Sequence, residues 1–313
     1  MTTGYGSGVD AATLLRGFRP HVAEIRGLRT EYWTSGDGPP LLLVHGLGGG
    51  AVNFTELGPL LARSHRVLIP DLPGHGGTEP LPRVDGLDDL AAHALGVAEH
   101  EGMPKAAVLG YSMGGVVALR LAAARPDVVS RLALVAPAGI VSTTRRARLW
   151  LGVSGFVRPA RIASHGRRLV ARRPNLRRPI FGYWGAAAPE LLSGESVLGF
   201  LQPAARHTDV DSAGRALLED DPRPDLGLVR CPAFLVWGAR DRLVPLADGF
   251  EYARRLRCPI RVVPAAGHLV VGEYPEACAE LLEPFLLDGV REVDELPLDA
   301  ELLREARGER AHS

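Results

Sequence analysis

The sequence predicts an α/β fold: a mostly parallel eight-stranded sheet flanked by helices, with a helical insertion before the seventh strand. Three observations predict it. Short apolar runs alternate with longer stretches of helical period. One apolar run ends in Gly110-Tyr111-Ser112-Met113-Gly114 and a helical pattern follows at once. The alternation stops only between Pro137 and about Asp225, then resumes at Cys231.

The predicted strands are His21–Arg26, Leu28–Thr34, Leu41–His45, Arg66–Pro70, Ala106–Leu109, Arg131–Val135, Ala233–Trp237 and Ile260–Val263. Continuous apolar runs such as Leu41–Val44 suit strands covered on both faces. The predicted helices are Phe54–Arg63, Leu87–Glu101, Ser112–Ala124, Leu246–Arg257 and Pro275–Leu287. Turn residues bound them, as in Ser35-Gly36-Asp37-Gly38-Pro39-Pro40 and Leu72-Pro73-Gly74-His75-Gly76-Gly77. In the interrupted stretch, Pro159, Pro174, Pro179, Pro189 and Pro203 break a helical pattern into short pieces. The expected organisation is a core of residues 1–137 and 226–313 with a helical cap, residues 138–225, over the C-terminal edge of the sheet. The tail from Asp288 to Ser313 is polar and acid-rich, with a peripheral helix expected at Leu298–Arg307.

A chain of 313 residues suits one large α/β domain or a domain carrying an insertion. Hydrophobic residues make up 46% of it, enough for a sizeable core. The formal net charge of zero excludes nucleic-acid binding by bulk charge. Met1–Asp10 lacks the charged start and apolar centre of a secretory signal, and no apolar run approaches a membrane span. Cys231, Cys258 and Cys278 are odd in number and lack metal-ligand spacing, so a reduced, cytoplasmic protein without a bound metal is expected.

The Ser112 turn matches the nucleophile-elbow pattern G-x-S-x-G, in which flanking glycines let strand, turn and helix crowd together. A Ser hydroxyl needs a base within hydrogen-bond reach, and the base needs an orienting group. In parallel sheets, reacting groups gather beyond the carboxyl ends of the strands. Asp241 and His268 each lie ten residues after a Cys-Pro pair that opens one of the last two strands. If those strands are adjacent, a carboxylate and an imidazole emerge side by side. The glycine-rich loop His45-Gly46-Leu47-Gly48-Gly49-Gly50 can aim an amide at the same place. Acyl transfer needs two such donors for the oxyanion, and the amides of Leu47 and Met113 are the candidates. A phosphate-binding reading of the loop fails because no Gly-Lys-Ser/Thr follows.

These pieces together resemble the α/β-hydrolase superfamily, in particular its capped serine hydrolases. The resemblance is carried by His45-Gly46-Leu47-Gly48, by Asp71-Leu72-Pro73-Gly74-His75-Gly76, and by Gly110-Tyr111-Ser112-Met113-Gly114-Gly115. It extends through Val236-Trp237-Gly238 with Asp241 and Val244-Pro245, and through Gly267-His268 with Glu273-Tyr274-Pro275-Glu276. It runs from about Leu28 to Leu287. It implies a Ser112–His268–Asp241 triad acting through an acyl-enzyme, with no metal or organic cofactor. It assigns His45 to bracing the oxyanion loop, and makes His75 and Asp71 architectural. Ser112 argues against the epoxide hydrolases and haloalkane dehalogenases of this group, which use Asp at the elbow. Val135-Ala136-Pro137 offers no alternative triad acid. Leu269 stands where carbon–carbon bond hydrolases often carry Trp. The expected activity is ester hydrolysis. A carbon–carbon hydrolase, an acyltransferase and a non-catalytic receptor are the competing readings.

The stretch Val128–Pro189 contains no Asp or Glu but twelve Arg, among them Arg145, Arg146, Arg148, Arg158, Arg161, Arg172, Arg173 and Arg178. Leu149, Trp150, Phe156, Phe181, Tyr183 and Trp184 are interspersed. Three readings stand side by side. The face is solvated and balanced by acids such as Glu219, Asp220 and Asp221. It binds an anionic or lipid-like small-molecule substrate through Arg forks. Or it makes weak peripheral contact with a membrane surface.

Overall fold

In the computed structural model of the protein, residues 11–138, 140, 165–182, 185–201, 206 and 208–288 are described. Eight strands form one sheet: β1 (Arg19–Ile25), β2 (Leu28–Ser35), β3 (Pro40–Val44), β4 (Arg66–Pro70), β5 (Ala106–Tyr111), β6 (Val129–Val135), β7 (Ala233–Gly238) and β8 (Ile260–Val263). Their order across the sheet is β1-β2-β4-β3-β5-β6-β7-β8. Pairing is antiparallel at β1–β2 and β2–β4 and parallel from β4 to β8. The first hairpin closes through Arg26-Gly27, with φ of 51° and 77°. Two left-handed residues are what a tight hairpin between twisted strands requires.

The main helices are α1 (Leu87–His100), α2 (Met113–Ala124), α3 (Arg167–Arg172), α4 (Gly194–Leu201), α5 (Val210–Glu219), α6 (Leu246–Leu256) and α7 (Pro275–Asp288). Strand alternation divides the core between two faces. Leu41, Leu43, Leu109 and Val236 pack with α7 on one face. Leu42, Val44, Val108, Leu134 and Leu235 pack with α1 and α2 on the other. Both faces are covered, so the central strands are apolar throughout. Each fully buried Leu or Val contributes about 1.5–3 kcal/mol. His93 of α1 is among the buried polar residues, with Nε2 3.0 Å from Thr30 Oγ1, which is buried as well. Burial lowers its pKa to about 4.

Departures from the sequence reading have local causes. The predicted helix Phe54–Arg63 is a 3-10 turn, Ala51–Phe54, followed by a short helix, Leu57–Leu61. Pro59 is tolerated only in a first helical turn, which sets the start at Leu57. The predicted strand Ala106–Leu109 runs on to Tyr111 because Gly110 and Tyr111 pair with Leu134 and Val135. The ladder sets Leu235 opposite Ile260. Cys231 and Cys258 are therefore two residues out of step rather than level.

Between β6 and β7 the described residues form helices and turns and no strand. This insertion is tied to the sheet at several points. Arg120 of α2 pairs with Asp220 and Asp225 as the insertion leads toward β7. Arg206 pairs with Glu31 of β2 at 2.5 Å. Phe181 is fully buried, and Arg177 is buried with its guanidinium donating to Ala171 O at 2.7 Å and to Leu192 O. Arg172, Arg173 and Arg178 are exposed. Arg145, Arg146, Arg148, Arg158, Arg161, Leu149, Trp150, Phe156, Tyr183, Trp184 and the expected helix Leu298–Arg307 lie outside the described residues.

Candidate active site

Ser112 occupies the turn between β5 and α2, with φ of 54° and ψ of −121°. A non-glycine residue in this region carries backbone strain and persists only where its surroundings fix it. Here they do. Ser112 N–H donates to Val135 O at 3.1 Å, and Ser112 O accepts from Gly115 and Ala138 N–H at 2.9 Å each. A Cβ on Gly110 would fall 2.6 Å from Gly115 Cα, and one on Gly114 would fall 2.6 Å from the Val44 carbonyl carbon. Only glycine fits either position. The hydroxyl is thereby presented, partly exposed, above the carboxyl end of the central strand.

The last two strands deliver the expected partners. Asp241 follows β7 and His268 follows β8, and both are buried. The two-residue offset between the strands is offset in turn by a longer loop after β8. His268 Nδ1–H donates to Asp241 Oδ2 at 2.8 Å. That tautomer leaves Nε2 to accept from Ser112 Oγ–H at 2.9 Å. The other Asp241 oxygen accepts from Leu243 and Val244 N–H at 2.9 and 2.8 Å, which fixes the carboxylate plane. Tyr111 OH donates to His268 O at 3.1 Å, and burial raises its pKa far above the ordinary phenol value. It remains a neutral donor.

The glycine loop after β3 lies against Ser112, since a Cβ on Gly46 would stand 3.1 Å from Ser112 Cβ. Leu47 is the next residue of that loop after Gly46, and Met113 follows Ser112 directly. His45 holds the loop from below: its Nδ1–H donates to Gly46 O at 2.9 Å, and its Nε2 accepts from Leu72 N–H at 3.0 Å. Asp71 binds the far end of the loop through Ala51 N–H at 2.7 Å and its own turn through Gly77 N–H at 2.9 Å. Burial pushes Asp71 up to about 6 despite those two N–H donors. Burial and neighbouring His45 push His75 down to about 3.

One residue had no separate role in the sequence. Glu273 is buried and accepts from Gly267 N–H at 2.9 Å and from Ala187 and Ala188 N–H at 2.8 Å each. Burial raises its pKa, and the three N–H donors act against that rise. The sequence signalled it only through its place in the motif Glu273-Tyr274-Pro275-Glu276, five residues after His268.

Residues 39–275 match the family described as alpha/beta hydrolase fold. The chain belongs to this family. It is a hydrolase of the α/β class, and its relatives span several activities. It is 32% identical over 289 residues to the dihydrolipoyllysine-residue acetyltransferase component of an acetoin cleaving system from Pseudomonas putida, covering 89% of this chain and 71% of that one. It is 33% identical over 261 residues to a pimeloyl-[acyl-carrier protein] methyl ester esterase from Aromatoleum aromaticum, covering 78% of this chain and 97% of the esterase. Among solved structures it resembles a bacterial membrane phospholipase A with a TM-score of 0.68 and 26% identity, covering 90% of this chain and 89% of that one. No described helix of the present hydrolase is long and apolar enough to cross a membrane.

The buried titratable groups set an acid response. His75 and His93 bind protons more weakly folded than unfolded, so their contribution to stability is lost as pH falls below 6.5. Asp71 acts the other way: folded, it takes up its proton first as pH falls through about 6. Between pH 7 and pH 5 the two His cost about 2 kcal/mol each and Asp71 returns about 1.4, for a net loss of roughly 2–3 kcal/mol. Urea unfolding at stepped pH measures this. The H93Q variant, which removes one His contribution and leaves the Asp71 return in place, is expected to flatten the loss by about three-quarters.

Proposed function

We propose that this α/β hydrolase cleaves carboxylic esters through an acyl-enzyme, with Ser112 as nucleophile, His268 as general base and acid, and Asp241 as the orienting carboxylate. One observation carries the reading: an unbroken Asp241–His268–Ser112 hydrogen-bond chain ends on a hydroxyl held at an elbow. His268 Nε2 takes the Ser112 proton as Oγ attacks the carbonyl carbon, and Asp241 stabilises the imidazolium. The amides of Leu47 and Met113 receive the oxyanion. The Met113 amide lies in the first turn of α2, where N–H groups lack intrahelical acceptors. Collapse of the tetrahedral intermediate sends the alkoxide out with the proton from His268. Water then repeats the sequence on the acyl-enzyme and frees the acid.

The relative named as a methyl ester esterase supports the ester class. The insertion serves as a cap that selects the acyl group. Its sequence intersperses Arg with bulky apolar residues, a composition that suits a hydrophobic or carboxylated acyl chain better than a small neutral one.

With p-nitrophenyl butyrate as substrate, S112A is expected to lose at least about a thousandfold in kcat while keeping its circular dichroism and Tm. Full activity in a folded S112A protein overturns the proposal. D241N tests the orienting role separately. Its amide oxygen stays with Leu243 and Val244 N–H, so its NH2 faces Nδ1 and forces the proton onto Nε2. That tautomer cannot accept from Ser112, and kcat falls by roughly 10³–10⁴. A panel of short neutral, long neutral and carboxylated esters tests the cap. Preference for the latter two is expected, and a flat profile removes the acyl-group proposal while leaving the triad untouched.

A further inference from the structure

Hydrogen bonds that flank His268 on both sides end on the insertion, or on a carboxylate shared with it. Before it, Gly267 N–H donates to Glu273 Oε2 at 2.9 Å. After it, Leu269 N–H donates to Gly185 O at 3.1 Å. The other oxygen of Glu273 accepts from Ala187 and Ala188 N–H at 2.8 Å. The two segments are also in steric contact: a Cβ on Gly267 would fall 2.5 Å from Ala187 N and 2.7 Å from Gly185 O. His268's main chain is therefore clamped by residues 185–188 of the insertion, and its ring by Asp241 and Ser112.

We propose that Glu273 is a positioning residue that fastens the insertion to the His268 loop, so that the imidazole is aligned with Ser112 only while residues 185–188 are seated. This rests on the reading of Ser112 and His268 as nucleophile and base. A buried carboxylate is a weak source of stability in itself. What it supplies is two acceptor oxygens facing two chain segments, and no donor to repel the three N–H groups. Gln offers one acceptor oxygen and turns an NH2 toward the other segment. Asp keeps both oxygens but is one methylene too short to span the segments. A ligand under the cap that shifts residues 185–188 shifts the base with them, which makes the cap's position part of the nucleophile's activation.

The test uses the full chain and a fluorophosphonate probe, which reports the Ser112–His268 pair without any choice of ester. The rate constant of labelling and the final labelled fraction are measured together, with kcat and KM on p-nitrophenyl butyrate in parallel. A misplacement of about 1 Å can cost a hundredfold in rate. E273Q is expected to label to the same final fraction but about 10–100-fold more slowly, with kcat falling in step and KM within about twofold. E273D is expected to fall between E273Q and the parent chain. A purely structural role lowers the labelled fraction and leaves the rate constant of the remainder unchanged, which overturns the proposal. So does E273Q labelling at the parent rate. Should E273Q not fold, the rate constant and kcat of E273D decide by the same criteria. A parent chain that does not label at all overturns instead the reading of Ser112.

Discussion

Backbone segments approach one another around Ser112 more closely than any side chain would permit, and the rest of the site depends on that approach. β5 is paired with β3 on one side and β6 on the other. The start of α2 is pressed against the β3 carbonyls through Gly114, and against β5 through Gly110. This contact fixes the left-handed Ser112 and aims its hydroxyl beyond the sheet. It also brings the glycine loop after β3 beside Ser112. Strand order does the remainder: β7 and β8 extend the same parallel sheet, so Asp241 and His268 arrive at the same edge.

A layer of buried polar groups holds these loops in place. His45, Asp71, Tyr111 and Glu273 each tie loop backbone near Ser112 and His268, and each has hydrogen-bond partners. Burying such groups is tolerable only when they are paired. The same burial moves Asp71 and Glu273 toward neutrality and His75 away from protonation. Loop geometry and acid response therefore share one cause.

The insertion is attached from several sides. Arg120 reaches its exit through Asp220 and Asp225, Arg206 reaches β2 through Glu31, and residues 185–188 meet the His268 loop. Asp209 lies against Gly74 and accommodates no larger residue there. These attachments hold the described residues of the insertion against β2, α2 and the loop that carries His268. They join residues far apart in the sequence, which showed the insertion only as a lapse in strand rhythm.

The sequence by itself determined what local chemistry controls. Apolar runs marked the strands, Pro and Gly marked their ends, and the glycines around Ser112 marked a turn that only they can make. The pairing of Asp241 with His268 was reached by counting from Cys231 and Cys258, yet the register is two residues off that count. Loop lengths absorb the difference, and no local signal reports such an offset. Splitting of the Phe54–Arg63 segment was legible in Pro59 once its position in the first turn was known. Tertiary structure alone decided the role of Glu273, whose partners Ala187 and Ala188 lie 86 and 85 residues away. It alone decided which Arg are buried braces, as Arg177 is, and which face solvent, as Arg172 and Arg173 do. The reason is the same in each case: periodicity and propensity act over a few residues, whereas a buried acceptor is defined by whichever distant donors the packed chain brings to it.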